Sequence, residues 1–161
     1  MARGMEMETA ARQKKAVCEA SKTFERNTND AASMRVCIRY LTDELAMLLR
    51  GQKSLARTLT VAMRYSDNKD VQRTAKLSEP TAVFMRLYDT AQELFKLLYS
   101  RRVAVSRIAL KVNGLVPDCG QIGLFTTKEE LKAEAAGEAI DRVRRKMGFD
   151  AVLNGSVISL P

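Results

Sequence analysis

The apolar residues of this chain switch between helical and alternating period several times, with turn signals at the switches, and that pattern restricts the fold to helices layered on a sheet. Ala16 to Phe24 reads as a strand and Arg26 to Asp30 as a polar turn. Met34, Ile38, Leu41, Leu45 and Leu48 then recur on one helical face, which Gly51 ends. From Leu55 to Tyr65 the period is two, with Leu59, Val61 and Met63 on one side and Thr58, Thr60, Ala62 and Arg64 on the other. Ser66 to Asp70 carries turn chemistry, and Val71 to Leu77 reads as a short, polar partner strand completing a hairpin. Pro80 falls where a first helical turn tolerates proline. Phe84, Leu87, Tyr88, Ala91, Leu94, Phe95 and Leu98 supply the stripe of a second, core-facing helix. Beyond Ser100 to Arg102, Ile108, Leu110 and Val112 face inward, and Arg107, Ala109, Lys111 and Asn113 face outward. The order is β-α-β-β-α-β. It predicts an α+β domain whose antiparallel sheet carries two helices on one face and leaves the other open.

A third helix is predicted to follow. Thr127 and Glu130 stand at capping-box spacing, Leu131, Ala135, Ile140, Val143 and Met147 form an apolar stripe, and Gly148 is placed as a stop. Gly137 weakens this helix by about 1 kcal/mol relative to alanine, so it is expected to dock less firmly than the first two. Phe149 to Ile158 reads as a marginal strand or a tail. The expected divisions are a disordered linker or appended extension over 1–15, the sheet domain over 16–115, a loop over 116–127, and a helix with tail over 128–161.

Composition narrows the chemistry. With 161 residues and 46% of them hydrophobic, the chain can build a core. Its 27 Lys and Arg against 19 Asp and Glu give a formal charge of +8, which favours a polyanionic partner such as nucleic acid. Histidine is absent, which excludes catalysis by histidine, and three scattered cysteines offer neither a zinc site nor a disulfide framework. A reducing cytoplasm is the expected setting. No apolar run reaches the length of a membrane span, and a membrane partner is not expected. The pair Asp43-Glu44 reads as solvated charge on the polar side of a helix. Neither a carboxylate cluster for two metal ions nor a glycine-rich phosphate loop is found, so phosphoryl transfer is not expected.

The open face carries the chemistry that remains. Its outward positions are Thr58, Thr60, Arg64, Gln72, Thr74, Lys76, Arg107, Lys111 and Asn113, with small Ala62 and Ala109 between them. Arg57 and Arg73 lie on the same strands and join them as candidate DNA contacts. Cations and hydroxyls suit phosphates, and the lack of aromatic side chains argues against base stacking by an RNA-recognition sheet. An ordinary solvated face is the alternative. Gln121-Ile122-Gly123-Leu124-Phe125, between the last long strand and the Thr127 cap, has the anatomy of a docking peptide: one amide and two adjacent apolar anchors.

Thr23-Phe24-Glu25-Arg26 with Thr28 and Asp30, Leu45-Ala46 to Leu49-Arg50-Gly51, and Ala56 to Val61 resemble the opening of the little finger domain of Y-family translesion DNA polymerases, of the bacterial DNA polymerase IV type. Leu77 to Thr81, Val105 to Leu110, Gly114-Leu115-Val116, the Gln121 to Phe125 peptide and Ala139-Ile140-Asp141 to Gly148 follow in that family's order, so the resemblance covers roughly residues 16 to 155. It implies a non-catalytic domain that grips template-primer double-stranded DNA, with Ser106, Arg107 and Lys111 facing phosphates. It also implies a bacterial sliding clamp as partner, bound through Gln121, Ile122, Leu124 and Phe125. Magnesium would belong to a catalytic core outside this sequence; the domain itself is expected to be a monomer without cofactor, either excised or naturally separate. Ser106 stands where the family often has Arg, Glu19 where Gly is common and Val17 where Ser is common. A stand-alone adaptor and an RNA-binding ferredoxin-like module are the alternatives.

Overall fold

The computed structural model describes residues 17–120, 127–153 and 155. Its elements are β1 (Val17–Thr28), α1 (Ala31–Gly51), β2 (Ser54–Tyr65), β3 (Asp70–Thr81), α2 (Phe84–Leu98), β4 (Val105–Asn113), a short β5 (Val116–Pro117) and α3 (Lys128–Met147). The sheet runs β1-β4-β2-β3 with every pairing antiparallel, and β5 adds to β2 at Leu55↔Val116. Two interleaved units build it. The connection β1-α1-β2 passes over β4, and β3-α2-β4 passes over β2, so both helices lie on one face.

The alternation on β2 and β4 is as the sequence predicts, with Leu59, Val61, Met63, Ile108, Leu110 and Val112 buried beneath the helices. Helix α1 contributes Met34, Cys37, Ile38, Leu41, Leu45, Ala46 and Leu49; α2 contributes Leu87, Ala91, Leu94, Phe95 and Leu98. Each large apolar side chain withdrawn from water this way stabilises the fold by about 1.5–3 kcal/mol before entropy is counted. Asp30 caps α1 by accepting from the Ala32 and Ser33 amides at 3.0 and 3.1 Å.

Three expectations change. Strand β1 continues to Thr28 through a register irregularity after Thr23, so Arg26 to Thr28 are strand rather than turn. Strand β3 extends to Thr81 and takes in Pro80, while α2 starts only at Phe84. Pro80 is tolerated there because β3 is an edge strand, where an amide can be missing without breaking a ladder. Leu48 is 40% exposed and Leu49 holds its place in the core. Phe149–Ala151, at the start of the segment expected as a marginal strand or a tail, forms a turn of 3-10 helix.

Helix α3 has the predicted capping box and ends at Gly148, whose φ of 96° favours glycine. Its apolar stripe is not buried: Leu131, Ile140, Val143 and Met147 are exposed, and the buried residues are Asp141 and Arg144. The helix docks through ions. Arg50 donates to Asp141 at 2.6 and 2.9 Å, Arg144 to Asp43 at 2.6 and 3.0 Å, and Arg86 to Glu130 at 3.0 and 3.3 Å. Asp43 is therefore an inter-helix partner and not a solvated charge. A Cβ at Gly137 would meet the Arg50 guanidinium carbon at 3.4 Å, an ordinary van der Waals contact, so this packing does not require glycine there.

Candidate nucleic-acid interface

The register of β2, β3 and β4 brings the outward residues together. Thr58 pairs with Lys76 and Asn113, Thr60 with Thr74 and Lys111, Ala62 with Gln72 and Ala109, and Arg64 with Asp70 and Arg107. Thr60 and Thr74 share a hydroxyl hydrogen bond of 2.7 Å. At the centre, Ala62 beside Ala109 leaves a shallow depression of about 370 Å³, and Arg64, Arg107 and Lys111 stand around it.

Strand β1 changes the charge of this face. Glu19 lies opposite Lys111 and Thr23 opposite Arg107, so β1 presents Glu19, Ser21 and Thr23 beside β4. The Glu19 carboxylate is 3.4 Å from Lys111 Nζ and 3.7 Å from an Arg107 nitrogen, and Arg107 donates to Ser21 Oγ at 2.9 Å. On the other flank, Arg64 donates to both Asp70 oxygens at 2.7 and 2.9 Å. The Arg64 guanidinium holds the Asp70 carboxyl below the usual carboxylate range. The face is thus cationic with built-in counterions. Sequence periodicity misses both carboxylates, because their roles depend on β1 neighbouring β4 and on the hairpin register.

Three candidate residues sit apart. Arg73 pairs with Val61, whose side chain is in the core, so register gives Arg73 the helix-side parity on the exposed edge. Arg57 falls at the register irregularity between Ala56 and Thr58. It packs under Gly114, where a Cβ would come within 3.1 Å of the Arg57 Cβ and φ is +65°. Ser106 is the extra residue where the β2–β4 register shifts, and its hydroxyl donates to the Arg64 carbonyl at 3.1 Å. Gln121, Ile122, Leu124 and Phe125 lie outside the described residues. The chain before them is fixed where Ser54 pairs with Pro117 and the Asp118 amide donates to the Lys53 carbonyl at 2.8 Å; after them comes the Thr127 cap.

Fold and face together define an α+β domain of split β-α-β units that presents an open, charged sheet to solvent. Residues 17–124 match the family model described as the impB/mucB/samB family C-terminal domain, and the chain belongs to that family. Among curated relatives, a DNA polymerase IV of Acetivibrio thermocellus is 26% identical over 141 residues, covering 86% of this chain and 35% of the relative. A DNA polymerase IV 2 of Mesorhizobium japonicum is 28% identical over 132 residues, covering 73% and 32%. The chain therefore spans about a third of the length of these relatives. A solved complex of a beta-clamp processivity factor with the little finger domain of PolIV contains a chain of the same fold, with a TM-score of 0.50, 18% identity, and coverage of 70% of this chain and 97% of that one. A DinB family error-prone DNA polymerase from Sulfolobus solfataricus matches with a TM-score of 0.56 and 17% identity over 72% of this chain and 37% of its own. The architecture is that of a little finger domain.

Proposed function

We propose that this chain is the non-catalytic DNA-binding and clamp-docking domain of a Y-family, lesion-bypass DNA polymerase that works in the cytoplasm as a monomer. The observation that carries the proposal is the convergence of Arg107, Lys111 and Arg64 around a small-residue floor on the open sheet face of a little finger fold. Thr58, Thr60, Thr74, Lys76 and Ser106 extend that face, with Arg57 at its margin; Arg73, of helix-side parity, stands off it. Ala62 and Ala109 let a phosphate backbone come close to the sheet, cations supply charge and threonines supply hydroxyls, so template-primer duplex is held by its backbone and not by its bases. The family match and the polymerase relatives support this reading.

The chemistry of nucleotide transfer belongs elsewhere in such a polymerase. Among the described residues no three His, Cys, Asp or Glu side chains converge to hold a metal ion, and this domain is proposed to work without cofactor. Gln121, Ile122, Leu124 and Phe125 are proposed to dock a bacterial sliding clamp. Fluorescence anisotropy with a labelled primer-template, titrated with salt, tests the DNA half: binding is expected to weaken steeply as salt rises, because each neutralised phosphate releases counterions. Primer extension by the pure chain with magnesium and all four deoxynucleotides is expected to give no product; extension, or affinity indifferent to salt, would overturn the proposal.

A further inference from the structure

We infer that Glu19 is a counterion built into the DNA-binding face, which a phosphate must displace from Lys111 and Arg107, and which thereby sets how weakly this domain holds duplex. The inference rests on the DNA-binding reading above. Arg64, Arg107 and Lys111 line the depression over Ala62 and Ala109 together with two carboxylates, Glu19 and Asp70. With Arg64 paired to Asp70, displacing Glu19 frees Lys111 and Arg107, the cations that suit a backbone phosphate.

Geometry makes Glu19 displaceable. Its contacts at 3.4 and 3.7 Å are long for charge-assisted hydrogen bonds, and its side chain and both partners are each 38–41% exposed. Exposed pairs of this kind are weak enough that a phosphate making shorter, better aligned contacts can take their place. Asp70 differs in geometry and not in exposure: its pair with Arg64 is the more exposed, at 63% and 47%, but is bidentate at 2.7 and 2.9 Å. Glu19 is therefore the adjustable element and Asp70 the fixed one.

The test is a double-mutant cycle on duplex affinity at moderate salt. Glu19→Gln is expected to tighten binding by about threefold, the range that release of an exposed pair allows. Glu93→Gln, which removes an exposed carboxylate from α2 behind the sheet, controls for net charge and is expected to do much less. In a Lys111→Met, Arg107→Met background the Glu19 effect is expected to vanish, whereas a long-range field effect would persist. Glu19→Thr, neutral and compatible with a strand, repeats the measurement should the glutamine variant melt early. If the cation variants weaken binding but Glu19→Gln matches wild type or the Glu93 control, this inference fails and the DNA-binding reading stands. If neither wild type nor variant binds duplex, both fail.

Discussion

Arg144 of α3 donates two hydrogen bonds to the carboxylate of Asp43 on α1, and only 3% of the arginine side chain reaches solvent. The same guanidinium lies 4.3 Å above the Phe149 ring and donates to the Val152 carbonyl at 2.6 and 3.0 Å. With its apolar residues exposed, α3 is held to the domain chiefly by such contacts. Asp43→Asn leaves the arginine charge buried without its partner. It is expected to cost about 2 kcal/mol of α3 docking, below the 3–5 of a fully buried pair because Asp43 retains 24% exposure. Hydrogen exchange is expected to speed up in 128–147 while the sheet stays protected; uniform protection would refute ion-pair docking.

Replacing both Arg107 and Lys111 by alanine is expected to weaken duplex binding and reduce the salt slope by about 0.9 for each phosphate no longer neutralised. Arg73→Ala is expected to have a smaller effect, because register gives it the other face's parity. Circular dichroism checks that the fold survives. Equal reductions in affinity from Arg73 and Arg107 variants would mean that general charge, not this face, binds DNA.

Local signals make the framework legible. Alternation at Leu59 to Met63 and Ile108 to Val112, helical spacing around Leu41 and Leu94, and the Thr127–Glu130 box each act within a few residues, so sequence carries them directly. Pro80 misleads because a proline's cost depends on whether its missing amide faces a partner strand, and only the strand order makes β3 an edge. The same order brings Glu19 to Lys111. Asp43 and Arg144 are 101 residues apart, and neither has a local pattern announcing the other. The outward cations are legible as a face; the carboxylates that neutralise them are not, since they come from outside the strands whose period is clearest.

Acid is expected to loosen the fold through identifiable carboxylates. The Ser33 hydroxyl and the Ala32 and Ser33 amides hold Asp30 below its usual range, Arg64 does so for Asp70, and the Thr127 amide with Arg86 does so for Glu130. A depressed folded pKa contributes stability that is full above the unfolded value and is lost as pH falls through the folded one. Melting temperature is therefore expected to decline below about pH 4. Glu44 and Glu134, raised by burial, act in the opposite sense and blunt the decline. Asp30→Ala is expected to lower stability at neutral pH and flatten the acid limb; an unchanged limb would exclude the cap as a source.

The cysteines are expected to divide by burial. Cys37 is fully enclosed and its thiol is pushed up to about 12, Cys18 is buried against Gln52, and Cys119 is exposed. Ellman's reagent at mildly alkaline pH is expected to label Cys119 rapidly in the native chain and all three in denaturant. Rapid native labelling of Cys37 would show that α1 opens readily from the sheet.

Clamp docking separates the polymerase reading from that of a generic basic domain. In sequence, the peptide from Gln121 to Phe125 lies between the β5 pairing and the α3 cap. Truncating a hot-spot anchor costs about 2 kcal/mol or more of binding, whereas emptying a core position costs several kcal/mol of folding stability. Leu124→Ala combined with Phe125→Ala is expected to abolish binding to a bacterial sliding clamp in surface plasmon resonance, with melting temperature and duplex affinity near wild type. A steep fall in melting temperature, with no clamp binding by the wild-type chain, would make Leu124 and Phe125 packing residues and remove the clamp from the proposed function.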